Sequence, residues 1–253
     1  MQRRGVRQVQ LGNGLYPTED AARQFGLDRE RLAEIFWRGV NTDYGRLQAT
    51  GERVRLLLAS GKELRLTHPN GTDLRVRIAG RPVGVSDGVI SPGDERRGGA
   101  STAVWLPAGE VYVTPVPRTA EGTAVADRYF FEGGVVEGLR LEFKQGRLTA
   151  MTARSGLERL RRFYDAALAG KDELGAVDIG INPDVNIPEH SRMVGWMPAG
   201  MVTVAVGENL WAGGNNSSAS GVVPFLPGTT LMVEGTPVVR EGRLVATEET
   251  AAR

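Results

Sequence analysis

The sequence contains no cysteine, which excludes a disulfide framework, a thiolate nucleophile and any thiolate-ligated metal. Histidine is almost as scarce: it stands only at His68 and His190, so an imidazole-rich metal centre is excluded by count. Lysine occurs only at 62, 144 and 171, and no serine is read as a hydrolase nucleophile. No run of apolar residues is long enough to span a bilayer, and the basic start, Met1-Gln-Arg-Arg-Gly-Val-Arg7, lacks the apolar stretch of a secretory signal. The net charge of +1 gives no electrostatic case for nucleic acid or membrane as a partner. Lack of cysteine and lack of a leader together make a cytoplasmic location the expectation.

What is present is the composition of an ordinary globular chain: 253 residues, 41% hydrophobic and 24% charged. A helical lead-in is expected over residues 1–60 and the main unit over 61–253, the two forming one compact body. Residues 1–14 read as a short strand or loop that ends in the turn Gly12-Asn-Gly14. Thr18 is placed as the N-cap of a helix that Gly26 closes, with Glu19 and Asp20 at the positive end of its dipole. From Asp28, Leu32, Ile35, Phe36, Val40, Tyr44 and Leu47 recur at helical spacing, and a second run carrying Val54, Leu57 and Leu58 begins after Gly51. The arginines of this pair alternate with Glu30, Glu34, Asp43 and Glu52, which describes a solvated face.

Leu64, Leu66 and His68 alternate with polar residues, Pro69-Asn-Gly71 makes a turn, and Leu74, Val76 and Ile78 alternate again, so this segment is a hairpin. Asp73 and Asp87 read as turn formers, and His68 as a strand residue. Residues 90–100 look like a loop. Residues 121–151 form consecutive strands with tight Gly turns, an antiparallel meander with one wet face. Leu157, Leu160, Phe163, Tyr164 and Leu168 share a helical face opposite Arg159, Arg161 and Arg162. The fold class is therefore α/β of the α+β type. Helices over 18–60 precede a curved, mainly antiparallel sheet drawn chiefly from 100–150 and 200–246, with the helix of 157–169 packed on it.

Four blocks carry a resemblance. Leu106-Pro-Ala-Gly-Glu-Val111 follows the spaced pairs Gly71-Thr-Asp-Leu74, Gly80-Arg81 and Asp87-Gly88. Leu174-Gly-Ala-Val-Asp-Ile-Gly-Ile-Asn-Pro183 comes next, then Val202-Thr-Val-Ala-Val-Gly-Glu-Asn209 with Gly213-Gly-Asn-Asn-Ser-Ser218. Together they resemble the thermophilic metallo-aminopeptidases, the aminopeptidase T/S family, from about residue 15 to 246, without that family's N-terminal segment. The resemblance implies a dimeric enzyme in which two metals activate a bridging water. It places one metal ligand on Glu110. The other ligand positions fall on Ala176, on Thr203, on or next to Val222, and on Pro224, residues that cannot replace the family's donors.

Two readings follow. One is a non-catalytic or repurposed homologue, a ligand-binding or assembly protein without a cofactor, present as a homodimer or heteromer. The other is a divergent aminopeptidase that holds zinc, cobalt or manganese through Glu110, Asp178 and Glu208. Asp178 lies two residues from Ala176, one strand period away, and so shares its face. The candidate pocket for a peptide or small polar ligand comprises Glu110, Arg81, Asp178, Thr203, Asn209, Asn215 and Asn216, with Arg81 as the partner of Glu110.

Overall fold

The computed structural model describes residues 6–167, 169–218 and 221–246, with the side chains of 99 and 100 left aside. The chain opens with strand β1 (Gln8–Leu11), then helices α1 (Glu19–Phe25), α2 (Arg29–Val40) and α3 (Tyr44–Ser60). Each helix start is capped as its sequence asks. Thr18, Asp28 and Asp43 accept hydrogen bonds from the backbone of Ala21, Arg31 and Arg46. The third cap moves a boundary. The break between the longer helices falls at Asn41-Thr42-Asp43, and α3 runs straight through Gly51. That glycine stays because the helix lies against a sheet there: a Cβ would meet Val85 Cγ1 at 2.8 Å and Ile181 Cδ1 at 3.2 Å.

The hairpin of β2 (Glu63–His68) and β3 (Thr72–Arg77) turns at Pro69-Asn-Gly71 as expected, and β4 (Val83–Ser86) follows. Residues 90–100, expected to be a loop, contain helix α4 (Pro92–Arg97). A reciprocal capping box between Ser91 and Asp94, with Pro92 in the first turn, starts that helix despite its loop-like composition. After β5 (Ala103–Leu106) and β6 (Glu110–Val113) comes the meander of β7 (Glu121–Phe131), β8 (Gly134–Lys144) and β9 (Arg147–Thr152). Helix α5 (Leu157–Asp165) buries Leu160 and Tyr164 against it, while Phe163 remains 38% exposed and Leu168 lies outside the described residues. The chain ends through β10 (Leu174–Gly180), β11 (Val202–Gly207), β12 (Gly221–Val222), β13 (Thr230–Val233), β14 (Thr236–Arg240) and β15 (Arg243–Leu244).

These strands make two open antiparallel sheets, not one. The larger runs β15-β14-β13-β2-β3-β7-β8-β9, so the early hairpin of 63–77 sits at its centre. The smaller runs β12-β11-β10-β6-β4, and a parallel pair β1-β5 stands apart. One hydrophobic cluster joins them. It takes Leu64, Leu66, Leu74 and Val76 from the larger sheet, Val111, Val113, Val177, Ile179, Val204 and Val206 from the smaller, and Val54 and Leu58 from α3. Every residue of β10 and β11 is buried. One face of these central strands meets that core and the other is covered separately, so any polar side chain on the second face is cut off from water. Among the described residues no helix is long and apolar enough to cross a membrane.

Candidate functional site

The second face of the smaller sheet carries three of the residues that the sequence singles out, Glu110, Asp178 and Thr203. Strand pairing sets one row of side chains across it: Gly84 opposite Tyr112, Tyr112 opposite Asp178, Asp178 opposite Thr203, and Thr203 opposite Phe225. Directly opposed residues of antiparallel strands point to one side, so the five share a face. The adjacent row places Ser86 opposite Glu110 and Glu110 opposite Gly180. Ala176 and Ala205, with Ala212 above them, form the apolar floor beside Tyr112 and Val223.

Above the first row the aromatic rings close into an arch. Tyr112 touches Trp211 at 5.1 Å between ring centroids, Trp211 touches Trp196 at 6.5 Å, and Trp196 touches Phe225 at 5.0 Å. Its two feet, Tyr112 and Phe225, stand on either side of Asp178 and Thr203. Gly84 makes room for one foot, because a Cβ there would lie 2.3 Å from the Tyr112 ring. Gly180 lets the loop bearing Trp196 settle on the sheet, since a Cβ would lie 2.4 Å from the Trp196 carbonyl.

Beneath the arch Asp178 is 2% exposed and Thr203 1% exposed. Asp178 Oδ1 and Oδ2 and Thr203 Oγ1 have no hydrogen-bond partner. Burial drives the Asp178 carboxyl well above the usual carboxylate range, the charge of Glu110 adds to this, and the neighbouring Ile179 amide opposes it in part. Burial likewise raises Glu110, to about 7, against a hydrogen bond donated by Asn13 Nδ2 to Oε1 at 3.0 Å. Tyr112 is raised by burial and then by the charges of both acids.

The other sequence candidates divide differently. Arg81 does not pair with Glu110; its guanidinium donates to Thr114 Oγ1 from Nε at 3.0 Å, on the far side of the strand end. Asn209 donates to the Gly175 carbonyl at 3.1 Å and accepts from the Asn216 amide at 2.8 Å. Asn216 donates to the carbonyls of Gly170 and Gly207 at 2.7 and 2.9 Å and accepts from the Ser218 amide. These two side chains build the loop over residues 208–218, while Asn215 is exposed. Glu208 accepts from the Leu210 amide at 2.7 Å. Val222 packs in the main core, opposite Val206, so the period of two turns Val223 and Phe225 to the face of Glu110 and turns Val222 and Pro224 away from it.

Asp73 pairs with Arg65 at 2.9 Å, and Asp87 accepts from the Val89 amide and from Gln48. His68 Nδ1 accepts from the Asn70 amide, and His190 is exposed beside Glu189.

Sequence reasoning missed Asn13, Tyr112, Trp196, Trp211 and Phe225. Asn13 alone left a signal, as the middle residue of Gly12-Asn-Gly14, where its φ of 38° is tolerated by asparagine. Ser86 was missed as well, although Gly84-Val-Ser-Asp-Gly88 has the Gly-x-Ser-x-Gly spacing of hydrolase nucleophiles. The structure puts it at the end of edge strand β4 without a left-handed backbone, not on a strained strand-to-helix elbow, and both histidines are engaged elsewhere.

The chain is similar in fold to 2,5-dihydroxypyridine dioxygenase from Pseudomonas putida KT2440, with a TM-score of 0.68 at 18% identity over 86% of this chain and 64% of that one. It is similar also to wild-type AmpT from Thermus thermophilus, with a TM-score of 0.63 at 25% identity over 88% of this chain and 62% of that one. The chain thus spans somewhat under two thirds of the length of these two structures. No curated protein matches it. The thermophilic metalloprotease family (M29) matches residues 43–184, a stretch that takes in β6 with Glu110 and β10 with Asp178 and covers more than half of the sequence, and the chain belongs to that family.

Proposed function

We propose that the chain is a non-catalytic, repurposed member of its family, a ligand-binding or assembly protein that works as a homodimer or heteromer. The observation that carries this reading is the chemistry of the face around Glu110. Where the family resemblance calls for converging donors, that face presents Ala176, Thr203, Val223 and Phe225. Among the described residues no three His, Cys, Asp or Glu side chains gather into a group able to hold a metal.

The residues therefore do not fit the pair of metals that the family implies. Two carboxyls and a neutral hydroxyl, roofed by aromatic rings and without an imidazole or thiolate beside them, do not make the set of three or more N, S and O protein ligands that zinc sites use.

The divergent hydrolase has one observation in its favour: the unpartnered oxygens of Asp178 lie on the face of Glu110. Elemental analysis of the protein as isolated, with an assay for release of an N-terminal residue from peptides, separates the readings. No stoichiometric zinc, cobalt or manganese and no chelator-sensitive release are expected. Stoichiometric metal, together with release that Glu110→Gln abolishes, restores the hydrolase.

A further inference from the structure

We propose that the aromatic arch and the oxygens beneath it form a binding site for a primary organic ammonium ion. The inference rests on the non-catalytic, ligand-binding reading and names its ligand class. Three buried side-chain oxygens, Asp178 Oδ1, Asp178 Oδ2 and Thr203 Oγ1, are the buried side-chain polar atoms left without a partner among the described residues. They belong to directly opposed residues on one face. An unpaired carboxyl group in such a place is costly whether neutral or charged, and a native structure that keeps one has something to set against it, here a cation whose charge draws the group to its ionised form.

A primary ammonium brings three N–H donors to these acceptors and a positive charge to the acid. Glu110, on the next row, adds negative potential from the same side. The walls select further. Tyr112, Trp211, Trp196 and Phe225 form a connected series of aromatic rings over this row, a residue type that attracts organic cations, and Ala176 and Ala205 beside it give an apolar floor for a short alkyl stem. A hydrated metal ion gains nothing from such walls. Trp211 is 44% exposed, on a short turn followed by Gly213 and Gly214, and is the ring of the arch best placed to turn aside as a ligand enters.

The test is a titration of the intact chain with n-propylammonium in the presence of EDTA, read by tryptophan emission, since Trp196 and Trp211 are two of the four tryptophans. Saturable binding is expected. Tetramethylammonium, which has the charge without N–H donors, and n-propanol, which has the shape without the charge, should each bind at least roughly tenfold more weakly. Asp178→Asn should weaken propylammonium by about tenfold or more, and Thr203→Val, which keeps the shape, by a smaller factor. If Asp178→Asn does not fold, Thr203→Val and the propanol comparison still decide.

Competition by trialanine but not by N-acetyl-trialanine would include peptide N-termini among the ligands, and no competition would confine the site to small free amines; both outcomes keep the ammonium chemistry. Equal binding of propanol, or unchanged binding in both variants, would overturn the inference. A metal-free protein that binds no propylammonium would overturn it and leave the non-catalytic reading standing. Binding that EDTA removes and zinc restores would overturn both.

Discussion

Asp178 and Glu110 are acids in a place that disfavours their charge, and this sets a pH dependence. A carboxyl whose folded pKa lies above its unfolded value binds more protons in the folded state, so stability falls as pH rises between the two values. For Glu110 that window runs from the ordinary 4.5 to about 7. Asp178, also raised, extends the loss in the same direction, and Tyr112 faces both acids without neutralising either. The melting temperature is therefore expected to decline from pH 5 to pH 7.5. Glu110→Gln should flatten that slope and raise stability at pH 8 by about 1–3 kcal/mol. A wild-type melting temperature that climbs over this range would contradict the assignment. Glu110 was legible in the sequence because Pro-Ala-Gly-Glu-Val is a local string. Asn13, which donates to it, was not, because 97 residues separate the two and only the fold brings them together.

At the level of elements, local chemistry carried most of what could be read. The cap at Thr18 and the turn at Pro69-Asn-Gly71 are contiguous signals, and each formed as expected. The boundary at Asp43 and the helix of 92–97 were misread for opposite reasons. Gly51 looked like a break and is a close-packing site, while Ser91-x-x-Asp94 is a capping signal hidden in Pro and Gly. Gly180 gives the sharpest test of how elements position the site. A Cβ there would lie 2.2 Å from the Pro198 carbonyl and 2.4 Å from that of Trp196, and backbone cannot turn aside as a long side chain can. Gly180→Ala is expected to cost about 1–3 kcal/mol in urea unfolding, in the range of other overpacking changes. It should also shift tryptophan emission as the loop bearing Trp196 lifts. Wild-type stability with unchanged emission would show that this loop does not anchor the arch.

For the molecule as a whole, periodicity led to the α+β class but not to the division into two sheets. Alternation tells which face of a strand is buried and not which strand lies beside it, so the row from Gly84 to Phe225 had no trace in any one segment. Surface chemistry bears on the last expectation, that the chain self-associates or joins a partner. Tyr16 and Trp37 are 52% and 46% exposed, and both meet the buried ring of Phe36 edge-on, at 5.5 and 4.9 Å, so that ring holds the two in place as an apolar patch. Glu34, Arg38, Asn41 and Asp184 line a hollow with Trp37, a polar surround of both charge signs for that ring. Apolar patches rimmed in this way mark interaction surfaces, and an isologous pair places the patch of one copy against the same patch of the next. Light scattering at micromolar concentration is expected to give about twice the mass of one chain, and Trp37→Ser to shift the mass toward a monomer without loss of helix signal. A compact wild-type monomer would count against assembly. A dimer indifferent to Trp37→Ser would move the interface elsewhere, with the sheet edge at β4 the next surface to substitute.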